Sequence, residues 1–383
     1  MPCKIIVLDL SDESNSELSV KIASRLKDET FLVLAIGVAA IAYVSEHAFL
    51  EKGREISLIA AAGLVATIVL ASIRVAHHAE ILAIKVGDPY GTMILTLSAV
   101  AVEVIILAIM MTGESSPTLV RDTIYSALML DINGILGLAA LLGGLKHGEQ
   151  PYNDNSGKTY GVMILTAMGI SMIVPEFVPA EKWHYYSAFT ILAMIALYAL
   201  FLRMQVGQHS YFFSYAYPRS ERKGDPDEHS IEDSTTASIT TILVGIVIIG
   251  LLAEFMSTFM TEGLRNSGAP VVLTAIVVAA ISASPEILTA LRAALRNRMQ
   301  ATVNIAMGAS LSTVILTVPV MEAIALYTGQ PFIMAMTPVQ TVMVAITLIA
   351  AAINLNDGET NAIEGMTHFI LFVTFLMLSA LDL

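Results

Sequence analysis

Two glutamates lie inside apolar stretches long enough to cross a lipid bilayer. Glu103 is in LTLSAVAVEVIILAIMM and Glu286 is in VVAAISASPEILTALRA, one in each half of the chain. An ionised carboxylate at the bilayer centre costs about 2.5–3.5 kcal/mol on insertion scales, so such residues are rare and usually mark an ion or substrate path. An ion pair between helices is the structural alternative. Because no basic residue lies in mid-span beside either glutamate, the pair favours a cation pathway.

The chemistry expected of this pair is the binding of a hard cation in competition with protons. Ca²⁺ takes about 6–8 oxygen ligands, so carboxylates joined by hydroxyl, amide and backbone oxygens suit it. Glu103 and Glu286 are therefore the candidate metal ligands. The polar residues expected to join them are Ser282, Ser284, Asp131, Asn133, Ser310 and Ser312. Without a cation, two like charges in a low-dielectric site should take up protons, and this competition is the basis of exchange.

Other polar groups near the apolar stretches have two interpretations each. Glu80 and Glu254 are candidate functional acids nearer the ends of their spans, but solvation at the membrane interface would also explain them. His77 and His78 are equally suited to proton transfer and to a place in the interface. Asp131 is expected to line a cavity, with a hydrogen bond to Asn133 or to backbone as the alternative. For the serines, helix–helix hydrogen bonds are the commoner use.

The elements that must position these residues are membrane-spanning helices. The chain has 383 residues, of which 56% are hydrophobic and 14% charged, and its mean hydropathy is +0.73. Apolar runs of this length predict a polytopic all-α membrane protein. We predict eleven transmembrane helices, at about 31–50, 56–84, 90–112, 119–145, 161–180, 186–206, 237–261, 268–294, 301–327, 332–354 and 363–382.

The basic residues predict how these helices are oriented. If the N-terminus is cytoplasmic, only five of the twenty Lys and Arg residues fall outside: Lys52, Arg54, Arg121, Lys182 and Arg265. This asymmetry supports eleven spans in the cell (inner) membrane, with the C-terminus on its outer side. The predicted division is a cytoplasmic tail (1–30), a first helix (31–55), repeat 1 with helices 2–6 (56–206), an acidic cytoplasmic loop (207–236) and repeat 2 with helices 7–11 (237–383).

Two five-helix units in one chain must have opposite orientations, because five is odd. This is the inverted-repeat arrangement of many transporters, whose sites lie between the repeats near the membrane midplane. Polar features also recur in order. Ala79-Glu80, Gly87-Asp88-Pro89 and Glu103 precede Asp131 and Asn133, as Ala253-Glu254, Gly268-Ala269-Pro270 and Glu286 precede Ser310 and Ser312. Pro285 should disturb its helix and free carbonyl groups beside Glu286.

Two blocks of the sequence carry a family resemblance. HHAEILAIKVGDPYGTMILTLSAVAVEV and SPEILTALRAALRNRMQATVNIAMGASLSTVILTVP resemble the two α-repeats of ChaA-type bacterial cation/proton antiporters, in the cation/proton exchanger branch of the Ca²⁺:cation antiporter superfamily. The resemblance implies Glu103 and Glu286 as central acids and Glu80 and Glu254 as flanking acids. The asparagines of the Gly-Asn-Ala-x-Glu motif found in many eukaryotic members are missing here, which leaves Na⁺ open as a cargo.

The resemblance implies a secondary active antiporter that exchanges cytoplasmic Ca²⁺ for external protons, with Na⁺ and K⁺ as further candidate cations. One alternative is a Na⁺(K⁺)/H⁺ antiporter with little Ca²⁺ activity, and another is a passive cation channel. The sequence contains no HExxH, GxSxG or P-loop motif, so we expect neither an enzyme nor an ATP-driven pump. The expected partners are the lipid bilayer and inorganic cations, without nucleic acid or a resident cofactor. The oligomeric state is left open.

Overall fold

The computed structural model describes residues 29–86, 90–112, 116–207, 209–215, 235–265, 267, 270, 272–330 and 332–383. Almost all of these residues are helical. The predicted tail before residue 29, the Gly87-Asp88-Pro89 turn, the Gly268-Ala269 part of its counterpart and the acidic loop over 216–234 lie outside the described residues.

The regular structure of the described chain comprises fourteen α-helices, three π-helical turns, three 3₁₀ turns and one pair of short strands. The first half contains α1 (Thr30–Leu50), α2 (Arg54–Val86), α3 (Tyr90–Thr112), α4 (Leu119–Leu128), α5 (Gly137–His147), α6 (Asp154–Met168) and α7 (Trp183–Val206). The second half contains α8 (Thr235–Leu264), α9 (Val272–Ser282), α10 (Ser284–Leu295), α11 (Met299–Ser312), α12 (Val318–Thr328), α13 (Pro338–Asn354) and α14 (Ala362–Ala380). Strands β1 (Gln150–Pro151) and β2 (Glu359–Thr360) pair antiparallel.

The lengths of these helices match a chain that crosses a membrane many times. In the described part, eight continuous helical segments are long and apolar enough to span a bilayer, and the bent pair α9–α10 is a candidate ninth. Two shorter apolar helices, Leu97–Met111 and Pro338–Asn354, overlap the remaining predicted spans. The protein is therefore a multi-pass helical membrane protein, as the composition predicted. The count of eleven spans stays a prediction.

Several spans change their winding in the middle. A π-helical turn over Met129–Leu136 joins α4 to α5, and another over Thr313–Thr317 joins α11 to α12. Between α9 and α10 the axis bends by 57°, where Pro285 occupies the first turn of α10. The predicted disturbance at Pro285 is confirmed, since proline can neither donate a backbone hydrogen bond nor continue the preceding helix. Such irregular turns expose backbone groups and often mark functional sites.

The helices pack closely through small residues, and a polar contact anchors the first of them. Helix α2 runs along α8, and α5 lies against α14. A Cβ atom added at Gly144 or Gly365 would overlap backbone atoms of the facing helix, so these two helices approach each other closely. At the start of α1, Arg74 donates two hydrogen bonds to Glu29, at 2.7 and 2.8 Å. This contact fastens the peripheral helix α1 to α2.

Candidate functional site

A cavity of about 120 Å³ in the middle of the helical bundle brings both halves of the chain together. Its acidic lining residues are Glu103 of α3, Asp131 of the first π-helical turn and Glu286 of α10. Small residues from α11, including Gly308 and Ala309, line the facing wall and leave room for an ion. The structure thus places the two glutamates predicted to act together at one cavity.

Glu103 is held by hydroxyl groups from the second half of the chain. Its side chain is 3% exposed. Oε2 accepts hydrogen bonds from Thr313 at 3.0 Å and from Thr317 at 3.4 Å, so the π-helical turn presents two donors to one carboxylate oxygen. Among the described residues, Oε1 has no hydrogen-bond partner. Because buried polar atoms normally have partners, this oxygen is suited to bind an ion or a proton.

Asp131 is paired with the residue that the repeat comparison set opposite it. Ser310 donates a hydrogen bond to Asp131 Oδ2 at 3.1 Å, and both side chains are buried. The other carboxylate oxygen is buried without a hydrogen-bond partner in the described part of the chain. The expectation that Asp131 lines a cavity agrees with this placement. Asn133 does not bond to it.

Two serine hydroxyls bond to backbone carbonyls at the bend between α9 and α10, just before Glu286. Ser282 donates to the carbonyl of Ala279 at 3.0 Å, and Ser284 donates to that of Ile281 at 2.8 Å. These hydroxyl groups satisfy carbonyls at the end of α9. Ser282 also lines the cavity, and a hydroxyl oxygen that donates its hydrogen can still accept. For Ser284, the structure places the hydroxyl on the backbone of the bend.

A second cavity, of about 220 Å³, meets the central one at Ser282 and Glu286. It is lined by Glu80 and His77 of α2 and by Thr289 and Arg292 of α10. Glu80 is exposed, whereas Glu286 lies at the inner end where both cavities share it. Together the two cavities connect the exposed end of α10 with the buried acids.

Two of the predicted polar residues lie outside both cavities, and a third lines the central cavity while bonding to its own helix. Asn133 donates to Thr347 at 2.7 Å and contacts Nδ1 of His368 at 2.8 Å, so it joins helices and does not line either cavity. Glu254 is exposed on α8 and lines neither cavity. Ser312 lines the central cavity but donates to the carbonyl of Gly308.

The sequence interpretation missed three residues. Thr313 and Thr317 carry no pattern that distinguishes them from other hydroxyl residues of membrane helices, which mostly bond to their own backbone. The sequence could have indicated Glu322 as a functional residue, because it is a lone acid within the predicted span 301–327. Its side chain is 2% exposed in the structure. It lines a third cavity, separate from the two described above.

The donor set of the central cavity suits a hard cation. It offers carboxylate oxygens from Glu103, Asp131 and Glu286 and hydroxyl oxygens from Ser282 and Ser312. In the part of the chain described, no three His, Cys, Asp or Glu side chains converge closely enough to hold a metal together. A cation here would thus draw on hydroxyl, backbone or water oxygens beside the acids.

Several known proteins are similar to this chain in sequence or in fold. The chain is 32% identical over 369 residues to the sodium-potassium/proton antiporter ChaA of Escherichia coli (strain K12), which covers 95% of this chain and 99% of the relative. It is 23% identical to a Ca²⁺/H⁺ antiporter of Aphanothece halophytica, over 78% of this chain and 83% of the relative. The structure of native YfkE has the same fold, with a TM-score of 0.71, 17% identity and coverage of 92% and 99% of the two chains.

The sequence profile of the sodium/calcium exchanger protein family matches two separate stretches, residues 56–207 and 237–381. These stretches contain Glu103 and Glu286 respectively, and together they make up most of the 383 residues. The chain therefore belongs to the sodium/calcium exchanger protein family.

Proposed function

We propose that this protein is a secondary active antiporter that exchanges cytoplasmic Ca²⁺, with Na⁺ and K⁺ as further cargo candidates, for external protons. The observation that carries the proposal is the shared cavity of Glu103 and Glu286, which come from different halves of the chain. Buried carboxyl groups with unpartnered oxygens can hold either a metal cation or protons. Since both ligands use the same oxygens, binding of one displaces the other.

In this mechanism the second cavity is the cytoplasmic approach to the site. Arg292 and Glu80 are exposed residues of its lining, and Glu286 lies where it meets the central cavity. A cation would pass Glu80 and exchange part of its water shell for the oxygens of Ser282 and Glu286. It would then reach Glu103 and Asp131. The protons it displaces would leave the carboxyl groups along the same aqueous route. The proposed binding residues are thus Glu103, Glu286, Asp131, Ser282 and Ser312, with Ser310 bonded to Asp131 and Glu80 at the approach.

Alternating access between two inverted repeats is part of the same proposal. In repeat 1 Glu80 lines the cytoplasmic cavity, and the sequence pairs it with Glu254 in repeat 2. Gly250 of α8 packs against Ile105 and Ile109 of α3, and Glu254 follows one turn later. If the repeats exchange roles, Glu254 would line the external approach in the opposite conformation, which would account for its exposure in this one.

The proposed topology follows from the distribution of basic residues. It has eleven transmembrane helices in the inner membrane, a cytoplasmic N-terminus and an external C-terminus. The repeats are residues 56–206 and 237–383, joined by the cytoplasmic loop 207–236. The two stretches matched by the family profile support this division, because each begins or ends within a few residues of a proposed boundary.

A second candidate is a Na⁺(K⁺)/H⁺ antiporter with little Ca²⁺ activity. It is favoured by the name of the relative from Escherichia coli, a sodium-potassium/proton antiporter. The name of the relative from Aphanothece halophytica, a Ca²⁺/H⁺ antiporter, favours Ca²⁺ as cargo. Three acids around one cavity also favour a divalent ion, because affinity for Ca²⁺ rises with the number of charged ligands. A passive cation channel remains the third reading.

One assay separates these functions. Everted membrane vesicles that contain the protein are energised by respiration, and a fluorescent pH dye reports the acid interior. Addition of CaCl₂, NaCl or KCl in separate experiments should dissipate the pH gradient if that cation exchanges for protons. A response to CaCl₂ supports the first function, and a response to NaCl or KCl alone supports the second. Voltage-driven cation flux without proton movement would contradict both and indicate a channel.

A further inference from the structure

A third cavity, of about 530 Å³, lies between the start of α7 and the end of α12. Its polar lining residues are His184, Tyr186 and Ser187 of α7, Glu322 of α12, and Gln330 after the end of α12. The rest of the lining is largely apolar. Neither Lys nor Arg is among the described residues that line it.

Glu322 is buried at the wall of this cavity with half of its carboxylate unpartnered. Its side chain is 2% exposed, and Oε1 accepts a hydrogen bond from Ser187 at 3.4 Å. Oε2 is buried and has no hydrogen-bond partner in the described structure. An unpaired buried carboxylate is costly, so a carboxyl group kept in such a place within a membrane span normally has a function.

This cavity opens at the end of the bundle opposite to the cytoplasmic approach. Helices α11 and α12 form one continuous span from Met299 to Thr328. Near the beginning of that span, Thr302 donates to the carbonyl of Ala290 on α10 at 3.1 Å, which places the Arg292 end of the second cavity there. The third cavity surrounds the final turn of the same span, at Ala325 and Leu326. The two cavities thus lie at opposite ends of one helix pair.

The span that carries Glu322 also reaches the central site. Thr317 bonds to Glu103 and lies five residues before Glu322, about 7.5 Å along a helix axis at 1.5 Å per residue. Both side chains are buried, and α12 packs against α3, the helix that carries Glu103. Among the described residues that line the cavity with Glu322, the other titratable groups are His184 and Tyr186 of α7. On the far side of Thr317 lies Glu103 of α3.

We propose that Glu322 is an external proton-binding site, which takes protons from the cavity between α7 and α12 and delivers them to Glu103 past Thr317. This assignment rests on the proposed proton exchange and adds a residue and a route to it. The step is a proton transfer alone. A proton from external water binds Glu322 Oε2, and its later release to Glu103 restores the Glu322 carboxylate as Glu103 becomes neutral. Glu322 thereby speeds the protonation of Glu103 when the external proton concentration is low.

The test measures Ca²⁺ or Na⁺ uptake into everted vesicles whose interior, the external face, is buffered at a pH of about 6 or about 8. Glu322→Gln should reduce the exchange rate roughly tenfold at the higher luminal pH and much less at the lower one, because abundant protons can reach Glu103 without it. Glu181→Gln removes an exposed carboxyl near α7 that does not line the cavity, and it should behave like the wild type. Glu322→Asp should recover part of the rate.

The failures of the two proposals differ in this assay. If the wild type exchanges cations and the rate of Glu322→Gln depends on luminal pH in the same way as that of Glu181→Gln, only the role of Glu322 is overturned. Absence of exchange in the wild type would overturn the proposed function, and this assignment with it.

A second measurement does not depend on transport. A hydrophobic carbodiimide modifies protonated carboxyl groups in apolar surroundings, and mass spectrometry of peptides locates the product. The purified wild-type protein should be modified at Glu322, more at a pH of about 6 than at about 8, and not at Glu181. A folded protein in which Glu322 stays unmodified at both pH values would overturn the assignment.

Discussion

The hydroxyl group of Thr313 donates a hydrogen bond to Glu103 Oε2 at 3.0 Å, across a sequence separation of 210 residues. The contact joins the central acid of the first half to the π-helical turn of the second half. A movement of one half relative to the other must therefore change the surroundings of Glu103. This coupling is what a carrier requires if cation binding and conformational change are to depend on each other.

Neutralising either central acid should stop exchange. Glu103→Gln and Glu286→Gln keep the size of the side chain but remove the negative charge and the proton-binding site, so neither cation nor proton can be exchanged. Dissipation of the pH gradient by CaCl₂, NaCl and KCl should be lost while the protein remains in the membrane fraction. Glu149→Gln, at an exposed carboxyl outside both cavities, is the matched control. Full exchange by either central variant would remove that residue from the site.

Thr313→Val should weaken cation binding without disrupting the fold. Valine has nearly the shape of threonine, but it cannot donate to Glu103, which loses its shorter hydrogen bond. A hydrogen bond to a charged group contributes about 1.5–3 kcal/mol, so the cation concentration for half-maximal exchange should rise roughly tenfold. Thr166→Val removes an exposed hydroxyl that bonds to its own helix and should leave this concentration unchanged. An unchanged value for Thr313→Val would show that the contact does not orient Glu103.

Asp131→Asn should reduce exchange of Ca²⁺ more than exchange of Na⁺. The change removes one of three negative charges around the cavity, and a divalent ion depends more strongly on ligand charge. Rates of dequenching with CaCl₂ and with NaCl, measured on the same vesicles, give the ratio directly. Asn133→Ala removes a helix-joining residue outside the cavity, so it should lower thermal stability but keep the ratio. Equal losses for both ions in Asp131→Asn would contradict a role in ion preference.

The anchor at Glu29 should make stability depend on pH. Partial burial raises the pKa of Glu29, but the hydrogen bonds and charges of Arg74 and His78 outweigh burial and hold it below the ordinary value of 4.5. The stabilisation is therefore complete above pH 4.5 and is lost as the pH falls through the lowered value. In detergent at neutral pH, Glu29→Gln should lower stability by about 1–3 kcal/mol. Thermal unfolding curves of variant and wild type should converge in acid, and a constant difference would contradict this reasoning.

Hydropathy and the rarity of acids in apolar stretches were enough to predict much of this protein. They located Glu103 and Glu286, because a charged residue among twenty apolar ones stands out in any window. The proline at position 285 likewise predicted the helix break, since proline acts on its own backbone. By contrast, Asn133 was expected at the site from the recurring order of polar residues in the two halves, and that order says nothing about which side of a helix faces the cavity.

What the sequence by itself determined is the class of the protein, a multi-pass helical membrane protein with acids inside apolar spans of both halves, because the bilayer imposes length and polarity on every span. Only the tertiary structure decided which polar groups meet. Two π-helical turns shift the side chains around their helices, so that Ser310 reaches Asp131 while Thr313 and Thr317 reach Glu103. Helix rotation and close packing fix such contacts, and both depend on residues more than a hundred positions apart.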